Sequence, residues 1–255
     1  LWLAIDRDEL RLLYQPKFHA PAGPLLGFEA LLRWQHPKQG LLTPELFLPL
    51  AEKTGLIIPI GNWVINEACR QLREWHLQGH RNWSMAVNLS TLQFEQPSLV
   101  KTVLDCLTRH DVPPEMLILE VTETTAMSNP DESVRVLTEL TNAGVKASID
   151  DFGTGYSSLL YLKRLPASEL KIDRAFVQEL SGESEDATIV SAIVALAKTL
   201  NLKVVAEGVE TEAQQTFLTE LGCHTLQGYL LGKPVSAQTI EALCEHGEML
   251  PGAEV

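Results

Sequence analysis

Cysteine is scarce in this sequence, and its spacing excludes two kinds of site. The four cysteines are Cys69, Cys106, Cys223 and Cys244. They lie far apart and include no Cys-x-x-Cys pair, so the sequence predicts neither a disulfide framework nor a zinc ribbon. We interpret them as reduced core residues, which are typical of a cytosolic protein.

Basic residues are also in the minority. The chain has 20 Lys and Arg against 33 Asp and Glu, a formal net charge of −13 at pH 7. No run of basic residues supplies the groove that DNA or RNA polymers require, so we expect no polymeric nucleic-acid partner. If this chain binds a phosphate ligand, a cation must lie between the two.

Long apolar runs are absent from the sequence. The most apolar stretch, IVSAIVALAKTL (189–200), is interrupted by Ser191 and Lys198 and falls short of the roughly 20 residues that cross a bilayer. The first ten residues, LWLAIDRDEL, are acidic and resemble no signal peptide. We therefore expect no membrane contact by this segment and a cytoplasmic location. Because the chain begins without Met, we expect a module of a longer protein, whose membrane anchor could lie elsewhere.

What the sequence does contain is a regular alternation of short apolar runs with helix-type segments. The eight runs cover residues 10–18, 24–34, 84–90, 116–123, 145–153, 169–176, 202–209 and 224–232. Strands that alternate with helices favour a parallel sheet with helical crossovers. Eight such units in 255 residues favour a closed α/β barrel of the (β/α)₈ TIM type over an open doubly wound sheet, the alternative. No internal linker is visible, so residues 1–255 are predicted to form one domain.

In seven of the eight runs, a side chain that could bind a metal or handle a proton lies where the strand is expected to end or, for Glu29, within the run. These are Glu29, Asn88, Glu120, Asp150 with Asp151, Lys171, Glu207 and Gln227. A single such residue is as readily explained by a turn cap. In a barrel, however, the carboxyl ends of all parallel strands meet at one mouth, where catalytic groups lie. The sequence therefore predicts that the seven positions converge on one small volume.

Five of these side chains are carboxylates, which cannot share a partly desolvated cleft as bare charges. Divalent cations with oxygen ligands resolve the conflict. Mg²⁺ or Mn²⁺ is favoured over zinc, because no His or Cys accompanies the set. The same argument explains Glu29, which lies in the apolar run FEALL. For a site with two ions we choose Asp150 as the bridging carboxylate.

Glu123 and Lys171 each have a functional and a plain interpretation, and Arg33 is a further candidate. Glu123 lies three residues after Glu120, an odd spacing that would place the two side chains on opposite faces of a strand. We therefore expect a different role for Glu123, which is to hold the loop 153–158 by hydrogen bonds. The alternative is an ordinary surface residue. Lys171 could neutralise charge on a phosphoryl group or extend from a strand end to solvent. Arg33 lies on the same strand face as Glu29, and its guanidinium could bind a phosphate through two parallel hydrogen bonds.

Eight short motifs occur in order along nearly the whole chain. They are YQPK (14–17), FEALLRW (28–34), VNLS (87–90), LEVTE (119–123), IDDFGTGYSSL (149–159), LKID (170–173), VAEGVE (205–210) and QGYLLGKP (227–234). Together they resemble the EAL-domain family of cyclic di-GMP phosphodiesterases. Two departures, Gly232 where Ser is frequent and Lys17 where an aliphatic residue is also common, remove no expected metal ligand.

The resemblance implies a modified barrel whose first strand is antiparallel to the rest, and hydrolysis of one phosphodiester bond of cyclic di-GMP to linear 5′-pGpG. It also implies two Mg²⁺ or Mn²⁺ ions, a homodimer, and fused sensor or GGDEF domains. The implied ligands are Glu29, Asn88, Glu120 and Asp150 for the first ion, and Asp150 with Asp151 for the second.

The resemblance also assigns roles to the remaining site residues. Lys171 would orient the attacking water, Glu207 would bind that water or accept its proton, and Gln227 would complete the water network. Glu123 matches a position that anchors a loop. Gln15 and Arg33 match positions that contact the substrate.

Two other functions remain open at this point. A non-catalytic cyclic di-GMP receptor would keep the fold but is expected to have lost residues that handle metal or water, and none is lost here. A two-metal barrel hydrolase for another phosphoester would keep the carboxylates, but not YQPK, Arg33 and the 149–159 segment together.

Overall fold

The computed structural model describes residues 1–20, 23–153, 159–180 and 184–245. Its nine strands are β1 Leu10–His19, β2 Leu25–His36, β3 Gly40–Leu42, β4 Ser84–Leu89, β5 Leu117–Thr122, β6 Lys146–Phe152, β7 Glu169–Ile172, β8 Lys203–Ala206 and β9 Thr225–Leu226. Eight of them close into a barrel in the order β1-β9-β8-β7-β6-β5-β4-β2, and β2 pairs back to β1. Within the described ranges, the short strand β3 pairs with the end of β2 alone.

The direction of the first strand confirms the predicted modification of the barrel. Strand β1 is antiparallel to both of its neighbours, with Gln15 opposite Glu29 on β2 and Phe18 opposite Leu226 on β9. The pairings from β2 through β4 to β9 are all parallel. The carboxyl ends of β2 and β4–β9 therefore lie at one end of the barrel, together with the amino-terminal half of β1.

Helices follow most strands and cover the outside of the barrel. They are α1 Leu48–Lys53, α2 Ile57–Leu77, α3 Thr91–Phe94, α4 Leu99–His110, α5 Glu123–Ser128, α6 Pro130–Asn142, α7 Leu159–Leu162, α8 Arg174–Gln178, α9 Glu185–Thr199, α10 Glu212–Leu221 and α11 Ala237–Glu245. Local sequence sets several ends. For example, Thr211 and Gln214 form a capping box at the start of α10, and Gly222 ends it with φ 89°, a backbone conformation that glycine adopts readily.

The main apolar core lies between the barrel wall and the helices. Val87, Leu119 and Ile149 on successive strands are completely buried, which explains why these runs are almost continuously apolar. On β5, residues that face the helices alternate with Glu120, which faces the barrel interior and pairs there with lysine. Among the helices of the described ranges, none has the length and apolar character needed to span a bilayer.

Three strands, β7, β8 and β9, are shorter than the sequence pattern suggests. Strand β7 ends at Ile172 because the Asp173 carboxylate accepts a hydrogen bond from the Ala175 N–H and begins α8. Strand β9 contains only Thr225 and Leu226. Beyond it, Gly228 passes so close to the backbone of Val209 that a Cβ atom would clash. These early endings open the barrel mouth around Lys171 and Gln227.

Candidate active site

A cleft of about 600 Å³ opens at the carboxyl ends of the parallel strands. Of the predicted site residues, it is lined by Gln15, Glu29, Arg33, Asp150, Asp151, Lys171, Glu207 and Gln227. Asn88 and Glu120 are joined to this group by contacts with its members. The predicted convergence of the strand ends is therefore seen in the fold, and its cause is the barrel topology.

The Lys171 ammonium lies at the centre of four carboxylates. Its Nζ atom is 2.6 Å from Glu207 Oε1, 2.7 Å from Glu120 Oε2, 3.1 Å from Asp150 Oδ2 and 3.8 Å from Glu29 Oε2. The lysine side chain is only 1% exposed, so its stem does not extend to solvent, which rejects the plain interpretation of this residue. A buried ammonium of this kind needs such partners to offset the loss of hydration.

Two side-chain amides hold the carboxylate of Glu29 in place. Asn88 Nδ2 donates to Glu29 Oε1 at 2.6 Å, and Gln227 Nε2 donates to Glu29 Oε2 at 2.6 Å. The same Gln227 nitrogen lies 3.1 Å from Gln15 Oε1, and Gln15 Nε2 donates to the Gly232 carbonyl at 3.2 Å. Residues from β1, β2, β4 and the segment after β9 thus form one connected network.

The adjacent residues Asp150 and Asp151 both reach the cleft because the strand is irregular there. The β6–β7 register shifts between Ile149 and Phe152, and Asp151 has φ 54°, a conformation that is uncommon outside glycine. The Asp151 N–H donates to Asp150 Oδ1 at 2.9 Å. Adjacent residues of a regular strand face opposite ways, and this local irregularity lets both carboxylates face the cleft.

Glu123 lies behind the cleft. It is 2% exposed and begins α5, and its Oε2 atom accepts a hydrogen bond from the Gly153 N–H at 2.9 Å. This contact rules out an ordinary surface glutamate. It also ties α5 to the first residue of the segment that Glu123 was expected to hold. Residues 154–158 of that segment lie outside the described residues.

Comparison with known proteins establishes the family. Residues 1–234 match the sequence profile of the EAL domain. The chain belongs to the EAL family. This EAL domain is 64% identical over 239 residues to the bifunctional diguanylate cyclase/cyclic di-GMP phosphodiesterase MucR of Pseudomonas aeruginosa, covering 94% of this chain and 35% of that protein. It is 45% identical over 238 residues to the cyclic di-GMP phosphodiesterase NbdA of the same organism, covering 93% of this chain and 30% of NbdA. The chain thus spans about a third of these relatives.

Solved structures agree with the fold. A structure of the PaMucR phosphodiesterase in complex with c-di-GMP is similar to this EAL domain with a TM-score of 0.92 at 64% identity, covering 94% of this chain and 97% of that one. The EAL enzyme Bd1971, in a form that holds cAMP and cyclic di-GMP, is similar with a TM-score of 0.89 at 36% identity, covering 95% of this chain and 66% of that one.

Crowding of the carboxylates changes their pKa values in the EAL domain. Burial, opposed by Lys171, raises the pKa of Glu120 to about 7 and that of Glu207 to about 8. Burial and the neighbouring Asp150 raise the pKa of Asp151 to about 6. Burial acts to raise the pKa of Glu29 too, but Lys171 and the Gln227 amide outweigh it, and the pKa lies below its usual value. The site thus binds protons near neutral pH when it holds no metal.

These shifts predict how the stability of the metal-free EAL domain depends on pH. A carboxyl group whose pKa is raised by folding stabilises the protein while protonated, and this contribution is lost as pH rises through the folded pKa. Glu120 and Glu207 begin to lose theirs near the usual glutamate pKa, and the last part is lost between pH 6.5 and 8.5, where Glu29 and Lys171 do not titrate. We expect the melting temperature in EDTA to fall by about 5 °C over this range.

The control for this prediction is Glu207→Gln, which keeps the shape of the side chain and cannot ionise. Its melting temperature in EDTA should depend less on pH than that of the wild type. The difference between the two proteins also cancels the contributions of His80, His110 and His224, whose pKa values are lowered by burial and whose effects end near pH 6.5. Parallel curves would contradict the assignment to Glu207.

The donor set of the site is suited to hard divalent cations. It consists of carboxylate and amide oxygens without His or Cys, the ligand type that Mg²⁺ and Mn²⁺ prefer. Among the described residues, no three His, Cys, Asp or Glu side chains are preassembled as a metal cluster. The carboxylates are instead turned towards the Lys171 ammonium. Burial and the neighbouring carboxylates act to raise the pKa values of Glu120 and Glu207, and cations would relieve this crowding of negative charge.

Sequence reasoning missed several polar residues in the cleft and below it. Asp173 and Arg174 line the cleft. They could have been identified from the sequence because they follow Lys171 by two and three residues, at the same strand end. Lys17 is 2% exposed and lies on β1 two residues after Gln15. Because side chains alternate along a strand, Lys17 shares the inward face of Gln15, and this periodicity could have identified it.

Proposed function

We propose that this EAL domain hydrolyses one phosphodiester bond of cyclic di-GMP to linear 5′-pGpG, with two divalent cations, Mg²⁺ or Mn²⁺. One observation carries the proposal: a single buried ammonium gathers four carboxylates in a cleft that also contains an arginine. Such a cleft has the groups that a phosphate and an attacking water require. The names of the relatives MucR and NbdA, and the c-di-GMP bound in the PaMucR structure, support this choice of substrate.

Five side chains are proposed to hold the ions. The ligands are Glu29, Asn88, Glu120 and Asp150 for the first ion, and Asp150 with Asp151 for the second. When bound, the two ions activate water and neutralise charge on the phosphate oxygens. The amides of Asn88 and Gln227 fix the orientation of Glu29, so that this ligand needs little rearrangement. The turned backbone at Asp151 presents two adjacent carboxylates to the same volume.

The proton and charge steps are assigned to groups of this chain. Glu207 accepts the proton of the attacking water, a role suited to a carboxylate whose pKa is raised to about 8 in the metal-free site, because general bases act best with a pKa near the working pH. Lys171, 2.6 Å from Glu207 Oε1, orients this carboxylate and the water and offsets negative charge that develops on the phosphate. Gln227 completes the hydrogen-bond network of the water.

Two residues at the cleft wall are proposed to bind the substrate. Arg33 lies on the same face of β2 as Glu29, and its Nη1 atom donates to the Leu32 carbonyl at 2.8 Å, which leaves other guanidinium donors for a phosphate oxygen. Gln15 lies on the neighbouring strand β1, where Gln227 and Gly232 hold its side chain. Because the chain as a whole is acidic, a local guanidinium is needed to attract the anionic dinucleotide.

The direct test is incubation of the purified chain with cyclic di-GMP and either Mg²⁺ or Mn²⁺, followed by chromatography for pGpG. We expect pGpG with either ion and none in EDTA. Binding of cyclic di-GMP without any pGpG would support the receptor function instead. Neither binding nor turnover by a folded sample would reject both.

Loss of the Glu123 carboxylate is expected to slow hydrolysis without removing a proposed ligand. We predict that Glu123→Ala lowers kcat about tenfold, because Gly153 loses the acceptor that ties it to α5, and Gly153 directly follows the strand that carries Asp150 and Asp151. The change is measured by steady-state hydrolysis. Glu123→Gln, which retains an acceptor oxygen, should recover most of the activity. Wild-type kinetics in Glu123→Ala would remove the anchoring role.

The location of the domain, its assembly and its fused domains are the last points. We propose that the domain works in the cytoplasm, as a homodimer, in a protein that also has sensor or GGDEF domains. The second activity in the name of MucR, diguanylate cyclase, supports such a fusion. Free cysteines at all four positions are compatible with a reducing compartment.

A further inference from the structure

A second buried lysine lies below the proposed metal site. Lys17, on β1, has a side chain that is 3% exposed, and its Nζ atom is 3.5 Å from Glu120 Oε1. In the part of the chain that the structure describes, Glu120 is the one carboxylate within 4.0 Å of this ammonium. Lys17 does not line the cleft, so a substrate in the cleft does not reach it.

Glu120 is therefore held between two ammonium groups. Lys171 contacts its Oε2 atom at 2.7 Å from β7, and Lys17 contacts its Oε1 atom from the opposite side of the barrel, on β1. The Glu120 side chain is completely buried. A carboxylate without solvent depends on such charges for its stability. Lys171 is shared with three other carboxylates, whereas Glu120 is the one carboxylate of the described residues that lies within 4.0 Å of Lys17. The Lys17 charge also acts from farther away on Glu29, whose pKa it helps to lower.

A fixed cation beside a metal ligand has two opposite effects. In the metal-free protein it offsets the charge of Glu120 and stabilises the barrel. When a divalent cation is bound by the same carboxylate, the ammonium repels it across a medium of low dielectric constant, which weakens binding. The two effects have the same origin, so removal of the charge should reverse both together.

We infer that Lys17 is a positioning residue for the metal site, an internal counter-ion of Glu120 that stabilises the metal-free barrel and lowers its affinity for divalent cations. The inference rests on the proposed function in that it takes Glu120 as a metal ligand. It adds a residue outside the cleft that sets the metal concentration at which the enzyme is loaded.

The test compares the wild type with Lys17→Met, which keeps the length and apolar stem and removes the charge. In EDTA we expect its melting temperature to be lower by about 5–10 °C. Mn²⁺ binding, followed by calorimetry or by the spin resonance of free Mn²⁺, should be at least about fivefold tighter. The KM for cyclic di-GMP at saturating Mn²⁺ should be unchanged.

Three controls separate the charge from simple packing. Lys101→Met removes a lysine that is exposed on α4 and should alter neither quantity. Lys17→Gln, a second neutral variant, should also bind Mn²⁺ more tightly if Lys17→Met fails to fold. In a Glu120→Gln background, Lys17→Met should cost less stability in EDTA, because its charged partner is already gone.

The outcomes distinguish the inference from the proposed function. A wild type that takes up no Mn²⁺ would reject the proposed metal site and the inference with it. A wild type that binds Mn²⁺, with equal or weaker binding in both neutral Lys17 variants, would leave the proposed function intact and overturn the role of Lys17.

Discussion

Glu29→Ala is expected to lower the rate of cyclic di-GMP hydrolysis by about 10³-fold or more while the protein remains folded. Glu29 is a proposed ligand of the first ion, and loss of a ligand removes the charge stabilisation that the ion supplies. The substitution also frees the amides of Asn88 and Gln227, both of which donate to this carboxylate. The Gln15 side chain depends in turn on Gln227, so substrate contacts should weaken as well.

Folding should survive this substitution because Glu29 is one of four carboxylates around one ammonium. Its removal relieves the repulsion that Glu29 exerts on Glu120 and Glu207, which offsets part of the loss of its own contacts with Lys171 and the two amides. The barrel core lies on the other face of the strand. The measurements are steady-state hydrolysis and the melting temperature in EDTA. Glu29→Gln, which keeps the shape and one oxygen, tests the need for charge, and Glu115→Ala, at an exposed position, controls for loss of a carboxylate. Hydrolysis by Glu29→Ala at the wild-type rate would reject the metal assignment.

The convergence of the site could be predicted from the sequence because it depends on topology more than on detail. Once the alternation of strands and helices indicates a parallel barrel, residues at successive strand ends must meet. The antiparallel direction of the first strand, by contrast, was predicted only because the motifs resemble those of the EAL family. Helix α4, at Leu99–His110, was not identified from the sequence. The runs that predicted β7, β8 and β9 were each too long by several residues.

The contacts within the site could not be read from the sequence, for two physical reasons. Lys17 belongs to a strand that runs opposite to its neighbours, so residues later in β1 lie deeper in the barrel, and a search of carboxyl-terminal strand ends passes over it. Asp150 and Asp151 share the cleft through a positive φ angle at Asp151. That conformation is selected by the surrounding structure against local preference.

The largest effect on the metal-free protein is expected from Lys171→Met. This substitution leaves Glu29, Glu120, Asp150 and Glu207 without their shared cation. Loss of one partner from a buried ion pair costs about 3–5 kcal/mol, and here four carboxylates depend on it. We therefore expect the free energy of unfolding in EDTA at pH 8 to fall by at least about 3 kcal/mol. Lys203→Met, which removes an exposed lysine from the neighbouring strand, should have little effect.

The pH dependence of Lys171→Met and its response to metal identify the cause. At pH 5 the carboxyl groups with raised pKa values are protonated, and a neutral acid needs no counter-ion, so the loss of stability should be much smaller than at pH 8. Saturating Mn²⁺ should restore most of the stability at pH 8, because the ions replace the missing positive charge. Turnover should nevertheless stay about 10²–10³-fold below the wild type, since the ions cannot replace an ammonium that orients Glu207 and the water. Equal losses of stability at both pH values would show that Lys171 contributes packing and not charge, and full activity in Mn²⁺ would remove it from the reaction.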